Sequence, residues 1–229
     1  MQIILLALAA LLFLSHLLCE TLASFVRYNF AGIGRHMQGV AVSNYFGIAS
    51  RGFVAAYGVL ASLIVERHYP LGWQYVLALS LTLICGGLAS LLLSRINVSI
   101  NATVPGKKIA FQHGAGMLYF YFERFFCYRV KIAWVSSVFV GVQFAAIVVA
   151  YGLCFYFPNN RLFIISLVPV IGMLGTLVTV VFVEPKLARI VDEDNSLAHA
   201  VSQEFMRARA ISFFFSAAIL VFLAAVLEG

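Results

Sequence analysis

Charged side chains inside apolar runs are the residues of this sequence most able to do chemistry. Arg51 lies near the middle of an apolar run of about Val40–Val65, and Glu20 interrupts another of about Ile3–Val26. An arginine at the centre of a bilayer costs roughly 2.5–3.5 kcal/mol on insertion scales, so it usually faces a bundle interior or a wet cavity. We therefore expect both residues to belong to a functional site.

Helical spacing places further polar residues on the same face as Arg51. Asn44, Gly47 and Arg51 stand at positions i, i+3 and i+7, and such residues share one face of an α-helix. Ser43 and Ser50 flank that face. The run therefore predicts a helix with a polar stripe.

A second polar stripe contains Glu20. His16, Glu20 and Arg27 stand at positions i, i+4 and i+11, with Ser24 beside Arg27. If the two stripes face each other, Glu20 and Arg51 share a polar cavity suited to an anionic substrate. The alternative is a structural ion pair of Glu20 with Arg51 or Arg27 that holds two helices together. Such a pair gains little net stability, because the cost of desolvation offsets the attraction.

The elements that must position these residues are transmembrane helices. Of the 229 residues, 63% are hydrophobic and only 10% are charged, and the mean hydropathy is +1.00. A soluble domain carries about 25% charged residues, so lipid must be the solvent here. We predict an all-α, polytopic bundle that forms a single transmembrane domain over residues 1–229. Its six spans are about Ile3–Val26, Val40–Val65, Gln74–Leu93, Ile132–Tyr156, Leu162–Val183 and Ala210–Leu227.

Basic residues predict the orientation of the bundle. Only Arg67 and Arg161 follow the second and fourth runs, whereas many more follow the first, third and fifth. The positive-inside rule therefore assigns the latter loops to the cytoplasm and both termini to the other side. The first run lacks a basic leader and a small-residue cleavage site, so we expect a retained span. The basic residues assigned to the cytoplasm are Arg27, Arg35, Arg95, Lys107, Lys108, Arg124, Arg129, Lys131, Lys186, Arg189, Arg207 and Arg209.

The loop of residues 94–131 contains an apolar segment, Ile109–Phe122, which is too short to cross a bilayer. Aromatic residues crowd its second half, and lysines and arginines surround it. Aromatic side chains favour headgroup depth, and cations favour anionic lipid. The segment therefore predicts an interfacial or re-entrant helix on the cytoplasmic side.

Other function classes find little support. The net charge is +6, and the basic residues lie in short loops between apolar runs. This placement favours anionic lipid over nucleic acid as their binding partner. The four cysteines form no CxxC pair, and the histidines are scattered, so neither a disulfide framework nor a metal site is predicted. The segment Asn101–Lys108 lacks the first glycine and the final Ser/Thr of a P-loop. We expect no cofactor and no ATP hydrolysis.

Several segments resemble the Amj family of bacterial lipid II flippases. The resemblance covers both ends of the chain, and the middle third carries none of it. The segments are His16–Ala23 running on to Val26 and Arg27, Ser43–Phe46 followed by Ser50 and Arg51, Val183–Pro185 running on to Asp192, and Arg209 at the start of the last span.

This resemblance implies a function. Members of the family move lipid II, the undecaprenyl-diphosphate-linked peptidoglycan precursor, from the inner to the outer leaflet of the cytoplasmic membrane, and substitute for the MurJ flippase. The implied partners are lipid II and membrane lipids. Whether two copies of the chain form a homodimer is left open. The expected substrate-binding residues are Glu20, Arg27, Asn44, Ser50, Arg51, Glu184 and Arg209.

Two other functions stay open at this stage. One is an integral membrane enzyme acting on an isoprenoid phosphate lipid, with Glu20 and His16 as acid and base and Arg51 as phosphate clamp. The other is a non-catalytic scaffold of an envelope complex. Release of inorganic phosphate would separate the enzyme from a flippase.

Overall fold

Long helices account for almost all of the structure. The computed structural model describes residues 2–32, 35–67, 72–99, 110–113, 128–178, 181, 185–186, 189 and 197–228. Apolar residues dominate every helix, and a helix satisfies its own backbone hydrogen bonds in lipid. The helices are α1 (Gln2–Gly32), α2 (His36–Glu66), α3 (Gly72–Ser94), α4 (Tyr128–Tyr156), α5 (Arg161–Val178) and α6 (Leu197–Glu228), and a 3-10 turn (Pro158–Asn160) precedes α5.

Five of these helices are long and apolar enough to cross a membrane, within the part of the chain that the structure describes. They are α1, α2, α3, α4 and α6, so the prediction of a helical, multi-pass membrane protein is confirmed. The helix predicted at Leu162–Val183 is present as α5, described over Arg161–Val178, and it contains Pro169. The helix predicted at Ala210–Leu227 begins earlier, at Leu197.

α1 runs antiparallel to both α2 and α6. Asn29 Nδ2 near the end of α1 donates to Ser202 Oγ near the start of α6, at 2.9 Å. Farther along, Phe13 of α1 stacks against Tyr57 of α2 with ring centroids 5.0 Å apart. The first turns of α1 and the last turns of α6 therefore lie at the same end of the bundle. We call it the terminal end and the other the loop end.

α1 holds its polar stripe among three other helices. It packs against α2, α3 and α6, while α4 packs against α2, α3, α5 and α6, and α6 also packs against α3. Phe13 and Leu17 of α1 are fully buried together with Tyr57 of α2, Leu83 of α3 and Phe213 of α6. This apolar cluster holds the polar stripe of α1 at one fixed depth and rotation.

The loop between α3 and α4 differs from the prediction where it is described. Strand β1 (Ile96–Ser99) pairs antiparallel with strand β2 (Ala110–His113), with Ile96 opposite His113. The first residues of the predicted interfacial helix are therefore extended, because ladder hydrogen bonds to β1 replace those of a helical turn. The remainder of Ile109–Phe122 lies outside the described residues.

We expect Gly141→Ala to destabilise the bundle, because α6 lies directly against α4 at this residue. A Cβ on Gly141 would lie 2.7 Å from Ser212 Cβ and 3.0 Å from Ser212 O. Overpacking of this kind costs about 1–3 kcal/mol. The unfolding midpoint of the detergent-purified protein should fall. The matched control is Gly52→Ala, where a Cβ meets nothing within 4 Å. Equal midpoints for the two variants would refute this packing.

Candidate functional site

A cavity of about 670 Å³ lies among α1, α2, α4, α5 and α6. Along α2 its wall runs from Ser43 to Gly58, which at 1.5 Å per residue is about 22 Å of helix. The hydrocarbon core of a bilayer is about 30 Å thick. The cavity therefore extends along most of the membrane-spanning length of the bundle.

One wall of the cavity is polar and carries excess positive charge. It comes from α1, α2 and α6, and among the described lining residues it holds three arginines but a single carboxylate. An anion is the complement of such a wall. Its principal polar and charged residues are His16, Glu20, Ser24, Arg27, Ser43, Asn44, Ser50, Arg51 and Arg209.

A chain of three side chains joins α1 to α2 in this wall. Ser50 Oγ donates to Glu20 Oε1 at 2.6 Å, and His16 Nδ1 lies 2.7 Å from the same Oγ. His16 Nδ1 also lies 3.2 Å from the main-chain oxygen of Ser50. Ser50 is completely buried, and only 7% of His16 is exposed. The i, i+4 spacing of His16 and Glu20 on α1 puts both within reach of this one hydroxyl group.

Arg209 of α6 is buried in the same wall. Its Nη1 donates to the main-chain oxygen of Glu20 at 2.8 Å, and its guanidinium lies 5.1 Å from the ring centroid of Phe205. Among the described residues its Nε has no hydrogen-bond partner, although the residue is only 3% exposed. A buried cation with an unused donor is costly unless something else binds it. Arg209 is thus prepared to bind an anion.

The opposite wall of the cavity is mainly apolar. α4 contributes Val140, Phe144 and Ile147, which follow one another at helical spacing, and α5 contributes Ile165 and Val168. Because α5 lies on the outside of α4, its apolar face closes this side of the cavity. The cavity is therefore amphipathic, with cations on one side and hydrocarbon on the other.

The cavity has a lateral gap between α2 and α5. Both helices line it, yet they do not pack along each other in the described part of the chain. Asn44 and Arg51 are exposed on the α2 side of this gap. Arg51 forms no hydrogen bond or ion pair with any residue that the structure describes. A ligand could therefore reach the polar wall sideways, from the membrane.

The structure brings together six of the seven residues expected at the site. The Glu20–Arg51 pair weighed as an alternative is absent, since the carboxylate of Glu20 accepts from Ser50 and Arg51 points to the gap. Glu184 lies outside the described residues, and its neighbours Lys186 and Arg189 are exposed. The six residues that line the cavity are Glu20, Arg27, Asn44, Ser50, Arg51 and Arg209.

The assignment of five of the basic residues to loops is wrong. Arg27 lies inside α1, and Arg129 and Lys131 lie inside α4. Arg207 and Arg209 lie inside α6, which begins twelve residues before Arg209, at Leu197. The segment before Ala210 is too polar to reveal a span by hydropathy, but it folds as helix because the bundle supplies partners. Asn29 of α1 donates to Ser202 at 2.9 Å, and the Glu20 carbonyl of α1 accepts from Arg209, while Glu204 and Arg207 pair within α6 itself.

Sequence reasoning missed the contribution of α4 and α5. Gln143, Phe144 and Tyr151 line the cavity, as do Ile165 and Pro169. Most of these residues are apolar and look like ordinary lipid-facing or core positions. Gln143, a polar residue within an apolar run, was the one available signal.

Comparisons with models of known protein families, with curated proteins and with solved structures find no match to this chain.

We expect Ala55→Cys to react with a water-soluble, charged thiol reagent much faster than Ala56→Cys, in a chain whose native cysteines are replaced by alanine. Ala55 lines the cavity, whereas its neighbour Ala56 is exposed on another face of α2, toward lipid. The thiolate that reacts forms in water rather than in hydrocarbon. Labelling rates in intact membranes provide the measurement, and equal rates would contradict a hydrated cavity.

Proposed function

We propose that the protein is a lipid II flippase of the bacterial cytoplasmic membrane, as its resemblance to the Amj family implies. The observation that carries the proposal is the amphipathic cavity, with a cationic wall, an apolar wall and a gap between α2 and α5. Lipid II has one part suited to each wall: an anionic diphosphate with a polar headgroup, and a long isoprenoid chain. A single site of this kind accommodates both parts.

The cationic wall supplies donors suited to a diphosphate. Arg209 Nη1 is held by the Glu20 carbonyl, so the guanidinium keeps its orientation while Nε stays unused. Arg51 lies at the gap without a protein partner in the described chain. Guanidinium groups form strong, charge-assisted hydrogen bonds to phosphate oxygens. In this proposal Arg51 receives the diphosphate at the gap, and Arg209 binds it in the interior.

The gap allows the headgroup to cross while the chain stays in lipid. Ile165, Val168 and Pro169 form the α5 side of the cavity. The isoprenoid chain leaves between α2 and α5, and the headgroup follows the length of the polar wall. Proline removes a helical hydrogen bond, so Pro169 gives α5 a place to bend as the headgroup passes.

Six crossings suit this function better than five. Arg161 at the start of α5 donates through Nε to the Cys154 carbonyl at 3.1 Å, near the terminal end, whereas α6 begins at the loop end. In this proposal the chain between them forms the sixth crossing. The 18 residues of α5 extend about 27 Å, close to the thickness of the hydrocarbon core. With the loop end in the cytoplasm, both termini lie outside it, and the aromatic and basic segment after β2 gathers anionic lipid.

An isoprenoid-phosphate enzyme is the second candidate, and the His16–Ser50–Glu20 chain is the observation that favours it. A histidine and a carboxylate beside an arginine are suited to acid–base chemistry on a phosphate. Ser50, however, is completely buried and donates to Glu20 rather than to His16. Glu20 Oε1 and His16 Nδ1 are therefore both engaged by this buried hydroxyl group rather than presented to a substrate, so transport is the better account of the cavity.

We expect this chain to restore surface exposure of lipid II in bacteria depleted of their own flippase, and Arg51→Ala and Arg209→Lys to fail. Hydrogen bonds to charged groups contribute about 1.5–3 kcal/mol each, so each variant should lose about tenfold or more in transport. Lysine keeps the charge of Arg209 but lacks the planar fork that reaches both the Glu20 carbonyl and a phosphate. Surface-exposed lipid II, growth and membrane abundance are measured together.

The matched control is Arg35→Ala, which removes one positive charge between α1 and α2, outside the cavity. It should transport like the wild type. If abundant wild-type protein leaves lipid II inside, the flippase proposal fails, and phosphate release from isoprenoid diphosphates becomes the next assay. If only assembly or abundance suffers in Arg51→Ala, the scaffold function is favoured.

We also expect dissipation of the membrane potential to slow lipid II export by this chain. The sequence contains no ATP-binding motif, and each charge that crosses the membrane is worth about 2.3 kcal/mol per 100 mV. An anionic headgroup moving outward leaves a negative interior, so the potential assists it. Export in proteoliposomes with and without an imposed potassium-diffusion potential is the measurement. Equal rates would show that another force drives transport.

A further inference from the structure

Two titratable side chains of the cavity wall are joined by one hydroxyl group. Ser50 Oγ donates its own proton to Glu20 Oε1. In its hydrogen bond with His16 the hydroxyl oxygen must therefore be the acceptor, and His16 Nδ1 is the protonated donor. The result is a continuous chain from imidazole to carboxylate, with distances of 2.7 Å and 2.6 Å. Such chains of acidic and histidine residues inside a membrane are typical of proton pathways.

This geometry permits the uptake of one proton with no leftover charge on the imidazole. A proton arrives at His16 Nε2, the Nδ1 proton passes to Ser50 Oγ, and the Ser50 proton passes to Glu20. The carboxylic acid then donates back to Ser50 Oγ, which donates to the bare Nδ1. Both hydrogen bonds survive with their directions reversed, and only the charge of Glu20 has changed.

The charges around Glu20 are predominantly positive. Arg209 on α6 binds its main-chain oxygen, Arg51 follows Ser50 on α2, and Arg27 lies farther along α1. Tyr28 on α1 and Tyr151 on α4 are further titratable groups that line the cavity, and Cys19 precedes Glu20 on α1.

The other packed helices add no charge near this level. The α3 sequence has no charged residue, and in α5 only Arg161, at the terminal end, is charged. Glu20 is therefore the only carboxylate among the described residues that line the cavity. Its ionisation sets the balance of charge that an incoming anion meets.

An anion in the cavity and an ionised Glu20 compete for the same cations. Both are attracted to Arg209 and Arg51, and they repel each other at the short distances that a cavity of about 670 Å³ allows. Protonation of Glu20 removes that repulsion and leaves the guanidinium groups to the anion. We infer that the His16–Ser50–Glu20 chain is a proton-binding site, and that binding of a lipid diphosphate in the cavity takes up a proton at Glu20. The inference rests on the proposed function for the identity of the anion.

The linkage has a definite sign. Since the anion favours protonated Glu20, affinity for the anion rises as the pH falls across the range in which binding is measured. Coupling between two sites is reciprocal, so anion binding takes up protons over the same range. The affinity should change about 5- to 150-fold across it, as is usual for coupled sites.

Binding of purified lipid II to the full chain in nanodiscs tests the inference. Lipid II suits this purpose because its diphosphate is a diester and has no proton to exchange near neutral pH. Affinity is measured at a series of pH values, and proton uptake is followed with a pH indicator in weakly buffered solution. We expect the wild type to bind more tightly at lower pH and to take up as much as one proton per chain.

Glu20→Gln is the decisive variant, because glutamine resembles the protonated acid. It should bind lipid II at neutral pH as tightly as the wild type does at low pH, with no pH dependence and no proton uptake. Glu66→Gln, which neutralises an exposed carboxylate at the end of α2, is the matched control and should behave like the wild type. Unchanged pH dependence in Glu20→Gln, or a pH-independent wild type, overturns the inference and leaves the flippase proposal intact.

A different result would count against the proposed function. If no variant binds lipid II at any pH, the infrared difference spectrum between high and low pH decides the proton site by itself. A carboxylic acid band that is lost in Glu20→Gln and shifted in Ser50→Ala supports proton binding at Glu20. Its absence in the wild type refutes it.

Discussion

Glu20 is the residue on which the geometry of the cavity depends. Its carboxylate accepts from Ser50 on α2, while its main-chain oxygen accepts from Arg209 on α6. One position of α1 therefore sets where both neighbouring helices place their polar groups. Inside a membrane no bulk water can replace these partners, and an unsatisfied polar group costs several kcal/mol. The polar wall forms only when the three helices meet in this register.

Burial of Arg209 gives the wall its anion-binding character. A flexible surface arginine would lose conformational entropy on binding, whereas this guanidinium is already held by the Glu20 carbonyl and the Phe205 ring. The apolar wall of α4 and α5 contributes differently, because it lowers the local dielectric and strengthens each ionic contact. A site for an amphiphilic anion needs both walls, and they come from helices far apart in the chain.

Much of the site could be predicted from helical periodicity. Glu20 and Arg51 stand out because charge is costly in lipid, and spacing adds His16, Asn44 and Ser50 to their faces. Arg209 was expected at the site on the resemblance, but in a loop. Hydropathy could not show that α6 begins at Leu197, because the first turns of this helix are polar and become stable only through contacts with other helices.

The sequence by itself determined the class of protein, the helices that carry charge and the faces on which that charge lies. Composition and the helical period of 3.6 residues are properties of each segment alone, and they do not depend on how the helices pack. Only the tertiary structure decided that Ser50, and not Arg51, is the partner of Glu20, and that apolar residues of α4 and α5 complete the cavity. Helix rotation and register cause this difference, because they depend on packing among α1, α2 and α6 rather than on any one segment.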